Sequence, residues 1–133
     1  MKIGIIGNAN YQNISKIKQD IIELKSKYGD DLIIFSGGEN NIAEEMVKDF
    51  SQFNSIFFFE FTPKYANKNT LSFLPTWYYT KNKQSKPSTR WFIDRYNKMF
   101  DTCDAIRIYG HSEHNKTYVS YCNNRNIPVL IIE

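Results

Sequence analysis

Five short apolar runs divide the chain: Lys2–Ile6, Asp31–Phe35, Ser55–Phe61, Ala105–Tyr109 and Pro128–Ile132. Each is rich in Ile, Phe or Val and mostly unbroken rather than alternating. That is the pattern of strands covered on both faces, as parallel sheets require. Between the runs, apolar positions recur at three and four residues. Ile14, Ile17, Ile21, Ile22 and Leu24, interleaved with Lys16, Lys18, Gln19, Glu23 and Lys25, predict an amphipathic helix. It ends near Lys27-Tyr28-Gly29, where Gly29 suits a left-handed C-cap. Ile42, Ala43, Met46, Val47 and Phe50 form a second stripe, and Trp91-Phe92-Ile93, Tyr96, Met99 and Phe100 a third. Tyr118, Val119 and Cys122 form a fourth, ending at Asn123-Asn124-Arg125-Asn126 before Pro128.

The predicted order is βαβαβ, a long insert, then αβαβ. Strands alternating with helices predict an α/β protein: a Rossmann-like three-layer sandwich with a mostly parallel sheet of about five strands. The insert, Lys64 to Arg90, is longer than most structureless connections and carries Tyr65, Phe73, Trp77, Tyr78 and Tyr79. It reads as a lid or a functional loop.

Length and composition narrow the class. The chain has 133 residues, 41% of them hydrophobic and 16% aromatic, which fits one domain spanning 1–133 with a proper core and excludes a disordered chain. No apolar run approaches the length of a membrane span, and no targeting segment precedes Ile3. Two cysteines, Cys103 and Cys122, are too few for a disulfide scaffold and read as packed thiols. The expectation is a reduced, soluble, cytoplasmic protein with no membrane partner. The abundance of Asn, Lys, Ile and Tyr fits an AT-rich coding genome, as in some bacteria and phages.

The net charge of +3 hides an uneven distribution. From Lys64 to Lys98 eight bases meet one acid, a local balance of +7 that leaves −4 for the rest. Bases interleaved with aromatics can grip phosphate and stack on a base, and they can equally be the solvated face of a loop.

In open α/β sheets ligands bind beyond the carboxyl ends of the strands. Three strand ends are polar and flexible: Gly7-Asn8-Ala9-Asn10, Ser36-Gly37-Gly38-Glu39-Asn40-Asn41 and Gly110-His111-Ser112-Glu113-His114-Asn115. The Ser36-Gly37-Gly38 turn lies between a strand and a helix, where glycines let backbone N–H groups approach an anion. The same glycines would serve a plain tight turn. The turn lacks the Lys-Ser/Thr pair of a phosphate-binding P-loop and the spacing of a dinucleotide fingerprint. His111 and His114 lack the partner set of a metal site, so no metal and no resident cofactor is expected.

Taken in order, these segments resemble the SLOG superfamily, a Rossmann-like group that includes the lonely-guy phosphoribohydrolases and the DNA-processing protein A fold. Within it the chain is most similar to the small single-domain YspA-like members. Ile3–Asn8 looks like the opening strand and its turn, and Phe35–Glu44 like the Gly-Gly motif followed by an acidic residue on the next helix. Asn67–Tyr79 looks like an aromatic insert. Trp91–Met99 is similar to the family's Arg-Asn helix, although Tyr96 follows Arg95 here, and Cys103–Gly110 is similar to the strand after it. Gly110–Thr117 stands where the phosphoribohydrolases carry a glycine-rich run and a catalytic Glu; it has one Gly, and no Glu follows Thr117.

The leading expectation is a binding module for a nucleotide or nucleotide-derived small molecule, sensing or sequestering a signal. Ser36, Gly37 and Gly38 would receive phosphate or ribose, and Arg95 with Arg90 would neutralise phosphate charge. Tyr78, Tyr79 or Trp77 would close over a base. Gly7, Asn8 and Asn10 would reach ribose or base edges, joined by Gly110, His111, Asn115 and Thr117 from the other loop. The alternative is cleavage or transfer at a nucleotide N-glycosidic bond, which needs a carboxylate; Glu44 or Glu39 would supply it. A second alternative is nucleic-acid binding through the basic insert, against which the small total charge argues. Pairing into a homo-oligomer through the aromatic insert stays open.

Overall fold

The structure is a computed structural model that describes residues 1–39, 41–61 and 89–133, with side chains from Arg95 onward in the last stretch. Five strands form one all-parallel sheet: β1 (Lys2–Gly7), β2 (Ile33–Ser36), β3 (Phe57–Glu60), β4 (Ala105–Tyr109) and β5 (Val129–Ile132), in the order β3-β2-β1-β4-β5. Four α-helices connect them among the described residues: α1 (Ile14–Tyr28), α2 (Ile42–Phe53), α3 (Thr89–Thr102) and α4 (His114–Asn124). The expected α/β class and parallel sheet are therefore observed. None of the described helices is long and apolar enough to cross a membrane.

The sheet buries both its faces, in two separate clusters. Ile3, Ile5, Ile34 and Tyr109 point to one side and pack with Ile17, Ile21 and Leu24 of α1 and Ala43 and Val47 of α2. Ile6, Phe35, Ile106 and Ile108 point to the other and pack with Tyr96, Met99 and Phe100 of α3 and Cys122 of α4. Alternate residues of one strand thus serve opposite cores, which is why the apolar runs are unbroken. Cys103 and Cys122 are both buried in the second cluster, and burial pushes their thiols up to about 12 and about 11. Packed thiols were the expectation, and thiols held so far from ionisation are poor nucleophiles.

The edges depart from the reading of strands covered on both faces. Phe57 and Phe59 on β3, and Leu130 and Ile131 on β5, are exposed. An outermost strand has cover from only one side, however apolar its sequence. The third run is also shorter than its apolar stretch, because Ser55 adopts φ +58 in the turn after α2.

Helix ends match the sequence closely. Asn13 caps α1 by accepting from the Lys16 N–H, and Asn41 caps α2 by accepting from the Glu44 N–H. Gly29 follows α1 with φ +60 and ψ −134. The positive φ was expected; the ψ lies outside the left-handed helical region, in a conformation only glycine reaches without strain.

One buried acid sits on the apolar stripe of α1. Asp20 accepts from the Tyr109 hydroxyl at 2.7 Å and pairs with Lys16 at 2.9 Å and Arg107 at 3.7 Å. It ties α1 to β4 and lies beneath the residue that ends β4.

Candidate functional site

The chain runs outward from β1 through β2 to β3, then crosses back to β4 on the other side of β1. The β1–α1 and β4–α4 loops therefore leave the carboxyl ends of neighbouring strands at the point where the strand order reverses. A cleft of about 550 Å³ lies there, with walls from those two loops, the β2–α2 loop, and α3 and α4.

The first wall is neutral and joined amide by amide. Asn8 donates from its backbone N–H (2.9 Å) and its side chain (3.1 Å) to the Tyr109 carbonyl. Asn10 donates to the His111 carbonyl at 2.9 Å and accepts from the His111 N–H at 3.2 Å. Behind them Asn115, buried at the start of α4, donates to the Gly110 carbonyl at 3.1 Å and accepts from Asn8 and Ser112. Gly110 has φ +89, and a Cβ there would stand 2.7 Å from Asn10 Oδ1. Only glycine lets the two loops come this close.

The second wall is charged and aromatic. Arg95 on α3 is 5% exposed. It donates to the Gly37 carbonyl at 2.7 Å and to Glu39 Oε1 at 2.6 Å, and its guanidinium lies over the Tyr96 ring. Tyr96 also donates to Glu39 Oε1, at 2.6 Å. Burial drives the Tyr96 hydroxyl far above its usual range, so it stays protonated and keeps donating. Tyr118 of α4 packs against Tyr96 with ring centroids 4.9 Å apart and completes this side of the cleft.

Glu44 supports both walls from behind. Its carboxyl accepts from the Gly7 N–H and the Ser36 hydroxyl, and Ser36 in turn accepts from the Gly38 N–H. Burial raises it to about 7. The bonds from Ser36 and Gly7 pull the other way, as does the charge of Arg95, while Glu39 adds to the rise.

Of the residues expected at the site, Gly7, Asn8, Asn10, Arg95, His111 and Thr117 line the cleft. Ser36, Gly37, Gly38, Glu44, Gly110 and Asn115 stand outside its lining, in the layer that shapes it. The Gly37-Gly38 turn faces α3: a Cβ on Gly37 would stand 2.5 Å from the Tyr96 ring, and the Gly38 N–H is given to Ser36. Tyr78, Tyr79 and the rest of the insert lie outside the described residues, and so does the side chain of Arg90.

The sequence reading did not place Tyr96, Tyr118, Asn41 or Ser112 at the site; it gave a ligand contact to at least one of His111 and His114, both of which line the cleft, and it considered Glu39 only as a possible catalyst. Asn41 carried a usable signal, since Asn-x-x-Glu ahead of an apolar stripe has the form of a capping box. Tyr96 and Tyr118 read as core positions, and they are core and cleft wall at once.

The cleft thus offers amide donors and acceptors on one side, a carboxylate on the other and a tyrosine ring between. Such a surface can hold a small polar molecule with a flat apolar face. The chain matches no family model, and no match was found among curated proteins or solved structures.

Proposed function

We propose that the protein binds a nucleotide or nucleotide-derived small molecule in this cleft, as a SLOG-like module. The observation that carries the reading is the cleft's position. It opens beyond the carboxyl ends of β1 and β4, where the order of the parallel sheet reverses, the place where such sheets bind ligands. Its lining supports the reading as well: a tyrosine ring suits the face of a base, and clustered Asn and Glu side chains suit the polar edges of base and sugar. A thermal-shift panel of nucleotides, cyclic dinucleotides and ADP-ribose derivatives at millimolar concentration tests it. At least one class should raise the melting temperature of the wild type and fail to raise that of an Asn8→Ala variant. No shift across the panel would refute the proposal.

A second reading, hydrolysis or transfer at an N-glycosidic bond, is favoured by one observation: a carboxylate, Glu39, stands in the cleft wall. Glu44 is 3% exposed and outside the lining, so Glu39 is the carboxylate that would meet the anomeric carbon. Incubating nucleotides with the protein and separating free base from ribose phosphate distinguishes the two readings. Release of base supports the enzyme; intact nucleotide with a thermal shift supports the binding module.

A further inference from the structure

Glu39 is held in an unusual way for a residue in a cleft wall. Its side chain is 39% exposed, yet one of its oxygens is doubly anchored. Oε1 accepts from Arg95 at 2.6 Å and from Tyr96 at 2.6 Å, and both donors are buried. Oε2 has no hydrogen bond among the described residues. One oxygen of the carboxylate is therefore fixed by two donors, and this partly exposed side chain presents its second oxygen as an acceptor whose orientation is already determined.

We infer that Glu39 is the sugar-recognising residue of the cleft, accepting hydrogen bonds from the vicinal hydroxyls of a ribose and selecting ribonucleotides over deoxyribonucleotides. The inference rests on the nucleotide-binding reading and names the part of the ligand that meets this wall. An ionised carboxylate has acceptors only and needs donors from its ligand. A ribose supplies two neighbouring O–H donors, and a deoxyribose supplies one. A phosphate supplies none and would be repelled, so the phosphate end of the ligand lies away from Glu39. Anchoring adds selectivity: a carboxylate locked through Oε1 need not be ordered on binding, so the bond to the hydroxyl is weakened less by lost side-chain freedom. A site built to accept from a hydroxyl also discriminates strongly against the analogue that lacks it, because the desolvated acceptor is then left unpaired.

Calorimetric titration of the four ribonucleoside monophosphates, with the matched 2′-deoxy and 3′-deoxy analogues of whichever binds, tests this on the wild-type protein. Removing either hydroxyl should weaken binding about tenfold or more, the usual worth of a hydrogen bond to a charged group. In a Glu39→Gln variant, Arg95 and Tyr96 would hold the amide oxygen on their side. The NH2 would then face the ligand, replacing a charged acceptor by a neutral donor. The ribo-to-deoxy preference should shrink to about threefold or less, with deoxynucleotide affinity unchanged or improved. Equal binding of ribo- and deoxynucleotides by the wild type would overturn the role of Glu39 while leaving the nucleotide reading intact. Failure of all four monophosphates and of every compound in the thermal-shift panel to bind would overturn both. The wild-type comparison decides even if the variant does not fold.

Discussion

Across one cleft, the side built from Asn8 and Asn10, backed by Asn115, faces the side built from Arg95 and Glu39, backed by Glu44, and the two are held by different forces. On the first, neutral amides reach carbonyls and N–H groups of a neighbouring loop, so each bond is modest and indifferent to pH. On the second, charged groups are taken out of water and depend on one another. Arg95 satisfies both a loop carbonyl and Glu39, and Glu44 is held by hydrogen bonds from the Gly7 N–H and the Ser36 hydroxyl. Neutral amides can be lost one at a time. A buried charge loses more when a partner goes, because its desolvation is then left uncompensated.

The largest effect expected from breaking this contrast is at Arg95. An Arg95→Leu variant keeps the bulk but removes the bond to the Gly37 carbonyl, the pair with Glu39 and the stack on Tyr96. It should lose about 3 kcal/mol of stability, seen as a lower urea midpoint. The remaining Glu39 is half in water, which keeps the loss below that of a fully buried orphan charge.

Next comes Glu44, whose folded pKa of about 7 stands above its ordinary 4.5. The folded state favours the protonated carboxyl. Its stabilising contribution is present below pH 4.5 and is lost as pH rises to 7 and beyond, in total about 3 kcal/mol at most. A Glu44→Gln variant can still accept from the Gly7 N–H and meet Ser36 without titrating. Urea unfolding at pH 4.5 and pH 8 should show the wild type losing more stability across that interval than the variant. Parallel behaviour of the two proteins would mean that Glu44 does not titrate between those values.

The smallest of the three lies on the neutral side. Asn115→Ala removes a buried donor to the Gly110 carbonyl and an acceptor for Asn8 and Ser112. It should lower stability by about 1–2 kcal/mol, with the same difference from wild type at pH 5 and pH 8. A pH-dependent difference would break the proposed division between a neutral and a titrating wall.

How much of this was legible beforehand depends on the kind of feature. The strands and helices were, because the unbroken runs at Ile3–Ile6 and Ala105–Tyr109 and the stripes at Ile17, Ile21 and Leu24 each express a local period. The polar loops at the strand ends were legible too, and they supply much of the cleft's lining. Direction within those loops was not. Gly37 and Gly38 read equally well as an anion cradle and as a tight turn, and the ring of Tyr96, distant in sequence, is what lies against Gly37. Asp20 interrupts an apolar stripe; its i,i+4 pairing with Lys16 is local, but its burial is explained only by the arrival of Tyr109 and Arg107 from β4.

The sequence by itself determined the α/β class, the succession of elements and which strand ends would be polar, since periodicity and turn chemistry act between near neighbours. Tertiary structure alone decided that Arg95 would answer to Glu39 and Gly37, that Glu44 would stand behind the cleft, and that one oxygen of Glu39 would be held by two buried donors. Those outcomes depend on contacts across the sheet, between residues far apart in the chain. Burial there sets both the partners and the charge of each group, and local sequence carries no record of either.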